Sequence, residues 1–191
     1  MKSFLRTKTV RLPCPFSCGV ISDTHASFLA PQYLDAIRHH FAGMEYVIHL
    51  GDVVGPAVIS EIESLGFVVL SVLGNNDRLL NSPQILFLEC GPWRIGATHG
   101  GGGGYQEVAR RALRQIRSVD EEPLHALLHG HSHMPTSILM EDLPVFNPGS
   151  LGYPRTWPGV DTPDLPSMGK MVVTPEGIHF DHVFLENCLT S

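Results

Sequence analysis

Short apolar runs alternate with longer amphipathic ones along most of this chain, and that alternation predicts an α/β fold. The run from Cys18 to Ser22 reads as a buried strand that stops at Asp23. Tyr33, Leu34, Ile37 and Phe41 recur at helical spacing, which predicts a helix over Pro31 to Phe41. Pro31 suits its first turn, where a backbone N–H would go unpaired in any case. A second strand, Tyr46 to Leu50, ends at Gly51 and Asp52. Residues 56–65 read as a helix stopped by Gly66. Phe67 to Leu73 is rich in β-formers and runs into Gly74, Asn75, Asn76 and Asp77.

The second half predicts more strands. Ile85 to Leu88 and Trp93 to Thr98 read as neighbours around a Gly91–Pro92 turn. Five consecutive glycines, Gly100 to Gly104, lead into a basic helix over Gln106 to Arg117. Leu124 to Leu128 is another buried strand, followed by His129, Gly130 and His131. From Thr136 the pattern is hairpin-like, with last strands near Lys170–Val173 and Ile178–Phe184 and a proline-rich loop from Tyr153 to Pro166. Residues 1–16 read as an N-terminal extension and 17–191 as a single domain without internal repeats.

Composition narrows the function. With 191 residues, 13 Lys and Arg and a formal charge of −6, a broad nucleic-acid-binding surface is not expected. Any positive charge that holds a phosphate must come from bound metal. Cys14 and Cys18 form one C-x3-C pair with no second pair to complete a zinc site, and Cys90 and Cys188 stand apart. The four therefore read as reduced thiols of a cytoplasmic protein. No apolar run reaches the length of a membrane span, and the basic N-terminus lacks the apolar core of a signal peptide.

The chemistry lies in where polar residues fall. Each strong apolar strand ends in a side chain able to bind metal: Asp23 and His25, then Asp52, Asn75, His99, and finally His131 with His133. In α/β sheets, groups beyond the carboxyl ends of strands converge on one rim. Two Asp, one Asn and four His without a thiolate suit manganese, iron, zinc or nickel better than magnesium or calcium. Seven ligands exceed what one open catalytic ion needs and fit two ions sharing a carboxylate, about 3.5–4 Å apart in such sites. With both aspartates ionised, two divalent ions leave a local charge of about +2, enough for an acidic protein to attract a phosphate. If the backbone is extended there, His131 and His133 point to one side with Cα atoms about 6–7 Å apart, a separation that straddles two ions.

These residues sit in ISDTH at 21–25, HLGDVV at 49–54, LGNND at 73–77, ATHG at 97–100, HGHSH at 129–133 and NPGS at 147–150. In order and spacing they resemble the calcineurin-like metallophosphoesterase superfamily, in its small YfcE-like phosphodiesterase branch. The resemblance implies a four-layer sandwich of two mixed β-sheets flanked by helices, and hydrolysis of a small-molecule phosphoester by a metal-bridging hydroxide. It implies that Asp23, His25 and His133 bind one metal, that Asn75, His99 and His131 bind the other, and that Asp52 bridges them. Asp52, Asn75 and His99 are then the catalytic set. Arg155, in a Pro-basic pair after Tyr153, becomes with Asn75 a candidate for substrate binding. The alternative is a non-catalytic scaffold like the retromer subunit of this fold. A homo-oligomer is compatible with everything read so far.

Several residues invite two readings. Many superfamily members carry a histidine acid after the asparagine; Asn76 stands there and has no useful pKa. The glycine run reads as a floppy connector, with an anion cradle as the alternative. Asp77 either orients a ligand or shapes a turn. His49 and His129 read as buried, hydrogen-bonded histidines, and His39, His40, His125, His179 and His182 as structural or surface. Arg110, Arg111, Arg114 and Arg117 read as a solvated helix face. Gly51 and Gly130 precede ligands at strand exits with no room for a side chain.

Overall fold

The computed structural model describes residues 5–78, 80–156, 159 and 163–186. Cys188 and parts of the 1–16 segment and of the 153–166 loop lie outside them. In chain order the first half runs β1 (Thr7–Leu12), β2 (Phe16–Ile21), α1 (Pro31–His40), β3 (Tyr46–His49), α2 (Ala57–Ser64) and β4 (Val68–Ser71). Then follow β5 (Ile85–Cys90), β6 (Trp93–Thr98), α3 (Val108–Arg117), β7 (Ala126–His129), β8 (Thr136–Met140), β9 (Leu143–Asn147), β10 (Ser167–Thr174) and β11 (Gly177–Phe184).

Two sheets result, in the orders β1-β5-β6-β7-β9-β8 and β11-β10-β2-β3-β4. Each mixes parallel and antiparallel pairs: β2, β3 and β4 run parallel while β10 opposes β2. In the other sheet β6, β7 and β9 run parallel and β8 opposes β9. Strand periodicity sorts side chains into three cores. Val20 and Ile48 face inward onto Leu86, Leu88, Leu128 and Phe146 of the opposite sheet. The next residues along, Ile21 and Val47, face outward onto Ile37 and Phe41 of α1 and Val58 and Ile62 of α2. On the far side Phe87 and Leu127 meet Ala112, Leu113 and Ile116 of α3. The layers are thus helix, sheet, sheet, helix, as the family resemblance implies.

The segment before residue 17 carries a strand that the sequence did not suggest: β1 pairs in parallel with β5 along its whole length, Thr7 against Ile85 through Leu12 against Cys90. Leu12 is buried while Thr7, Lys8, Thr9 and Arg11 stay exposed. An edge strand with so little buried surface has the polarity of a tail, and its partner lies far away in the chain.

Candidate metal centre

Parallel strands deliver the polar residues to one rim. The backbone ladder between β2 and β3 continues past both strands, with Leu50 N–H donating to Ile21 O (2.8 Å), Asp23 N–H to Gly51 O (3.0 Å) and His25 N–H to Asp52 O (3.0 Å). Asp23, His25 and Asp52 therefore lie on adjacent parallel segments. Asn75 follows β4, His99 follows β6, and His131 and His133 follow β7. Gly51 occupies the left-handed region at φ 94°, and a Cβ there would stand 2.6 Å from Gly74 N and 2.9 Å from His99 Nδ1. A Cβ on Gly130 would overlap the Ser22 hydroxyl and Asp23 Oδ2.

All seven predicted ligands come together in two clusters that share an edge. In the first, His133 Nε2 lies 3.2 Å and His25 Nε2 3.6 Å from Asp23 Oδ1, and the two nitrogens are 3.2 Å apart. In the second, His99 Nε2 lies 3.4 Å from Asp52 Oδ2, 3.1 Å from Asn75 Oδ1 and 3.2 Å from His131 Nδ1. Asp52 Oδ2 also stands 3.5 Å from His25 Nε2, so one oxygen reaches both clusters. Asp23, His25 and His133 form one candidate metal-holding group and Asp52, His99 and His131 the other. His131 and His133 thus part company, although not by the route expected. Their backbones are left-handed, at φ 67° and 62°, rather than extended.

The donor set fits cations. Two donors each about 2.0–2.2 Å from a common ion stand about 2.8–3.6 Å apart across tetrahedral or octahedral angles. The observed separations fall in that range. Three ring nitrogens are committed as hydrogen-bond donors on their far sides: His99 Nδ1 to Leu50 O (2.8 Å), His133 Nδ1 to Tyr153 O (2.8 Å) and His131 Nε2 to Gly103 O (2.9 Å). Neutral rings held this way aim lone pairs into the clusters. Asp23 Oδ1 is buried with no hydrogen-bond partner and faces the His133 and His25 rings. Electron-rich atoms packed this closely need positive charge between them.

The titration behaviour points the same way. Burial opposes ionisation of Asp23, but the His133 and His25 rings hold its carboxyl below the usual range. Burial likewise opposes ionisation of Asp52, and His99 and Asn76 pull it down. The Asp23 carboxylate holds His25 above its ordinary value. Burial pushes His99 down, and the Asp52 and Asp23 carboxylates more than restore it. Desolvation pushes His131 down.

Strain marks the same residues. Asp23, His25, Asp52, His131 and His133 all adopt positive φ, between 46° and 67°, and so does Val54 at 72°. Such conformations cost of order 1–3 kcal/mol each for residues other than glycine and persist where the surroundings over-determine them.

Supporting contacts resolve the two-way readings. Asn76 donates through its backbone N–H to Asp52 Oδ1 (2.8 Å) and through its carboxamide to Oδ2 (2.7 Å), so its side chain is committed to Asp52. Asp77 accepts the N–H groups of Val54 and Gly74 (2.8 Å each) and ties two site loops together. His49 and His129 are buried, and desolvation pushes both down to about 4. The glycine run is not floppy. Arg111 donates to Gly100 O (2.7 Å) and Gly104 O (2.8 Å), and Gln115 donates to Gly101 O (3.0 Å). Arg111 is therefore a clamp rather than part of a solvated face.

Arg155 is exposed, stacks 4.1 Å above the Tyr105 ring, and donates its N–H to His133 O (3.2 Å). Tyr105 in turn lies 5.5 Å from the His131 ring and 5.8 Å from that of His133. Sequence reasoning missed Tyr105 because nothing local distinguishes a tyrosine after five glycines. It also gave no role to Ser22, whose hydroxyl donates to Asp23 Oδ2 (2.5 Å). Asn147 braces the His131 loop from behind, donating to Gly130 O (3.0 Å) and Ser132 Oγ (2.9 Å).

Two mixed sheets carrying paired His–Asp clusters at one rim define a metal-dependent phosphoesterase. The chain matches the calcineurin-like phosphoesterase superfamily domain over residues 16–161 and belongs to that superfamily. It is 34% identical over 140 residues to a probable metallophosphoesterase of Methanothermobacter thermautotrophicus, covering 72% of this chain and 78% of that one. It is 29% identical over 152 residues to a phosphodiesterase of Methanocaldococcus jannaschii, covering 71% and 84%. Among solved structures, vacuolar protein sorting 29 of Cryptosporidium parvum aligns with a TM-score of 0.68 at 18% identity, covering 93% and 95%, which is a likeness of fold. No helix among the described residues is long and apolar enough to cross a membrane.

Proposed function

We propose that this chain is a binuclear phosphodiesterase of the small YfcE-like branch. Asp23, His25 and His133 would hold one divalent ion and Asn75, His99 and His131 another, with Asp52 placed to serve both. The observation that carries this reading is the position of Asp52 Oδ2, 3.5 Å from His25 Nε2 in one cluster and 3.4 Å from His99 Nε2 in the other. When bound, such ions supply Lewis acidity toward phosphoryl oxygens and make water a nucleophile at neutral pH. Manganese is our first choice, with iron, zinc and nickel suited to the same donors.

The protein's own groups do the rest. Asn75 and Arg155 face the phosphate, Asn75 from the rim of the second cluster and Arg155 from its perch on Tyr105. Asn76 has no proton to give and is occupied by Asp52. A departing oxygen therefore takes no proton from residue 76, which favours esters with good leaving groups. The likeness to a phosphodiesterase of Methanocaldococcus jannaschii supports the diester assignment. The free thiols of Cys14, Cys18 and Cys90 support a reducing, cytoplasmic location.

The test is turnover by purified protein of bis(p-nitrophenyl) phosphate and p-nitrophenyl phosphate, with Mn, Fe, Zn, Ni and Mg in turn. We expect metal-dependent hydrolysis of the diester, abolished by chelator and much weaker on the monoester. No turnover with any metal would favour a scaffold that keeps ions for structure.

A further inference from the structure

Exposed aromatic side chains are unusual enough to ask why they are held out. Among the described residues the exposed large aromatics are Phe28 (68%), Tyr153 (60%) and Tyr105 (38%), and all three stand around the metal-binding rim. Phe28 and Tyr153 line one cavity of about 280 Å³ that opens beside His25, with Leu29 and Tyr33 forming more of its wall. The Tyr153 ring lies 5.3 Å from the His25 ring at 78°, an edge-on approach. By contrast, the cavity on the His99 side is walled by Leu5, Leu73, Gln84, Gln115 and the glycines 100–102, with no Phe or Tyr ring. The two flanks of the centre thus differ in chemistry: one carries aromatic rings, the other aliphatic side chains, amides and glycine backbone.

The aromatic flank is preformed. Ala26 bridges to Val54, and its carbonyl accepts from Gly55 (2.9 Å). Leu29 N–H donates to Glu61 on α2 (2.8 Å), and the Leu29 side chain is buried in the core. Phe28 is therefore displayed from a loop anchored on both sides of it. Tyr153 is anchored too, its N–H donating to Ser150 Oγ (2.8 Å) and its carbonyl accepting from His133. Rings carried on an anchored backbone lose less entropy when a ligand ring packs on them, and offset or edge-on pairs form at centroid separations of about 4.5–7 Å.

We infer that the cavity between Phe28 and Tyr153 is a substrate subsite that takes a planar aromatic substituent of the phosphoester, whether an aryl group or a nucleobase. The inference rests on the phosphoesterase reading and sharpens it: the phosphate sits at the clusters, and one ester substituent leaves on the His25 side. An aliphatic substituent gains no ring contact there.

Binding of substituted phosphonates and phosphates to the metal-loaded protein, measured by calorimetry, tests this without requiring turnover. Phenylphosphonate should bind about tenfold more tightly than methylphosphonate, the gain expected for one well-placed aromatic contact. That ratio should fall to about one in Phe28→Ala and persist in Phe28→Trp. Thymidine 5′-monophosphate separates the two sources of ring: sensitivity of its affinity to Phe28→Ala assigns a nucleobase, and indifference with phenylphosphonate still sensitive assigns an aryl group. A wild-type ratio near one, or a ratio that survives Phe28→Ala, overturns the subsite. Diester hydrolysis alongside a ratio near one would leave the phosphoesterase reading standing and remove only the subsite. Absence of both binding and hydrolysis would remove the two together.

Discussion

On the proposed mechanism, Asn76 bears on which esters this centre can open. Its carboxamide is spent on Asp52 Oδ2 at 2.7 Å, and an amide has no proton to transfer at any useful pH. Replacing it with histidine should restore acid assistance to the leaving group, which is typically worth about 10²–10⁴-fold. The measurement is the slope of log kcat/KM against leaving-group pKa across a series of diesters. We expect a steep dependence in the wild type and a flatter one in Asn76→His. Equal slopes would mean that the departing oxygen takes its proton from another group.

The buried histidines behind the site give a second residue-scale expectation. Desolvation pushes His129 down to about 4 from an ordinary value of 6.5, so the folded protein resists protonating it while the unfolded chain does not. Its contribution is fully present above pH 6.5 and is lost as pH falls from 6.5 through about 4. The integrated effect is up to about 3 kcal/mol. Comparing wild type with His129→Gln isolates this one group from the other titrating residues. The stability difference between them, from urea unfolding at pH 7.5 and pH 4.5, should shift against the wild type at the lower pH. An unchanged difference would show that His129 is not held neutral by burial.

At the scale of elements, the edge strand β1 and the clamped glycine run matter most. Six registered pairs join β1 to β5, and Leu12 closes one end of the inter-sheet core beside Leu86, Leu88 and Cys90. Deleting residues 1–12 should remove that cover and leave β5 as a bare edge, prone to pair with other chains. Burial of Leu12 alone is worth about 2 kcal/mol, and each kcal/mol shifts Tm by about 2–4 °C for a chain of this size. A drop in Tm of at least about 5 °C, with increased light scattering, is the expected result by calorimetry. An unchanged Tm would return these residues to the status of an appendage. The glycine run shows the opposite economy: Arg111 and Gln115 of α3 pin a segment with no side chains of its own, and through Gly103 O it holds His131.

For the whole molecule, the two sheets meet at a rim where like-polarity groups crowd together and several backbones are strained. Such a rim should be a weak point until cations fill it. A ligand at 100 times its dissociation constant stabilises the folded state by about 2.7 kcal/mol, which for this size corresponds to roughly 5–10 °C in Tm. Scanning calorimetry with and without chelator should show a rise of that order on adding Mn or Zn. Equal Tm values would mean that the clusters hold no ion.

Much of this was already in the linear chain. Apolar runs of strand length and the helical spacing of Tyr33, Leu34, Ile37 and Phe41 are local signals, and with the similar spacing elsewhere they located most strands and the three helices of the described residues within a few residues. The residues of the two candidate metal-holding clusters were legible as well, because each stands just past the strand that delivers it and parallel strands end on a common rim. What the sequence could not hold were relations between distant segments. β1 looked like a tail because its stabilising partner is 78 residues away and only one of its side chains is buried. The opposed glycine run and α3 looked like a connector and a solvated face until folding brought Arg111 onto Gly100 and Gly104. His131 and His133 were separated by left-handed backbone that no local rule demands; it is held by Asn147, Gly103 and Tyr153 from three other parts of the chain. Burial, backbone strain and the side of the centre on which Phe28 and Tyr153 meet are properties of packing, so only the tertiary structure decided them.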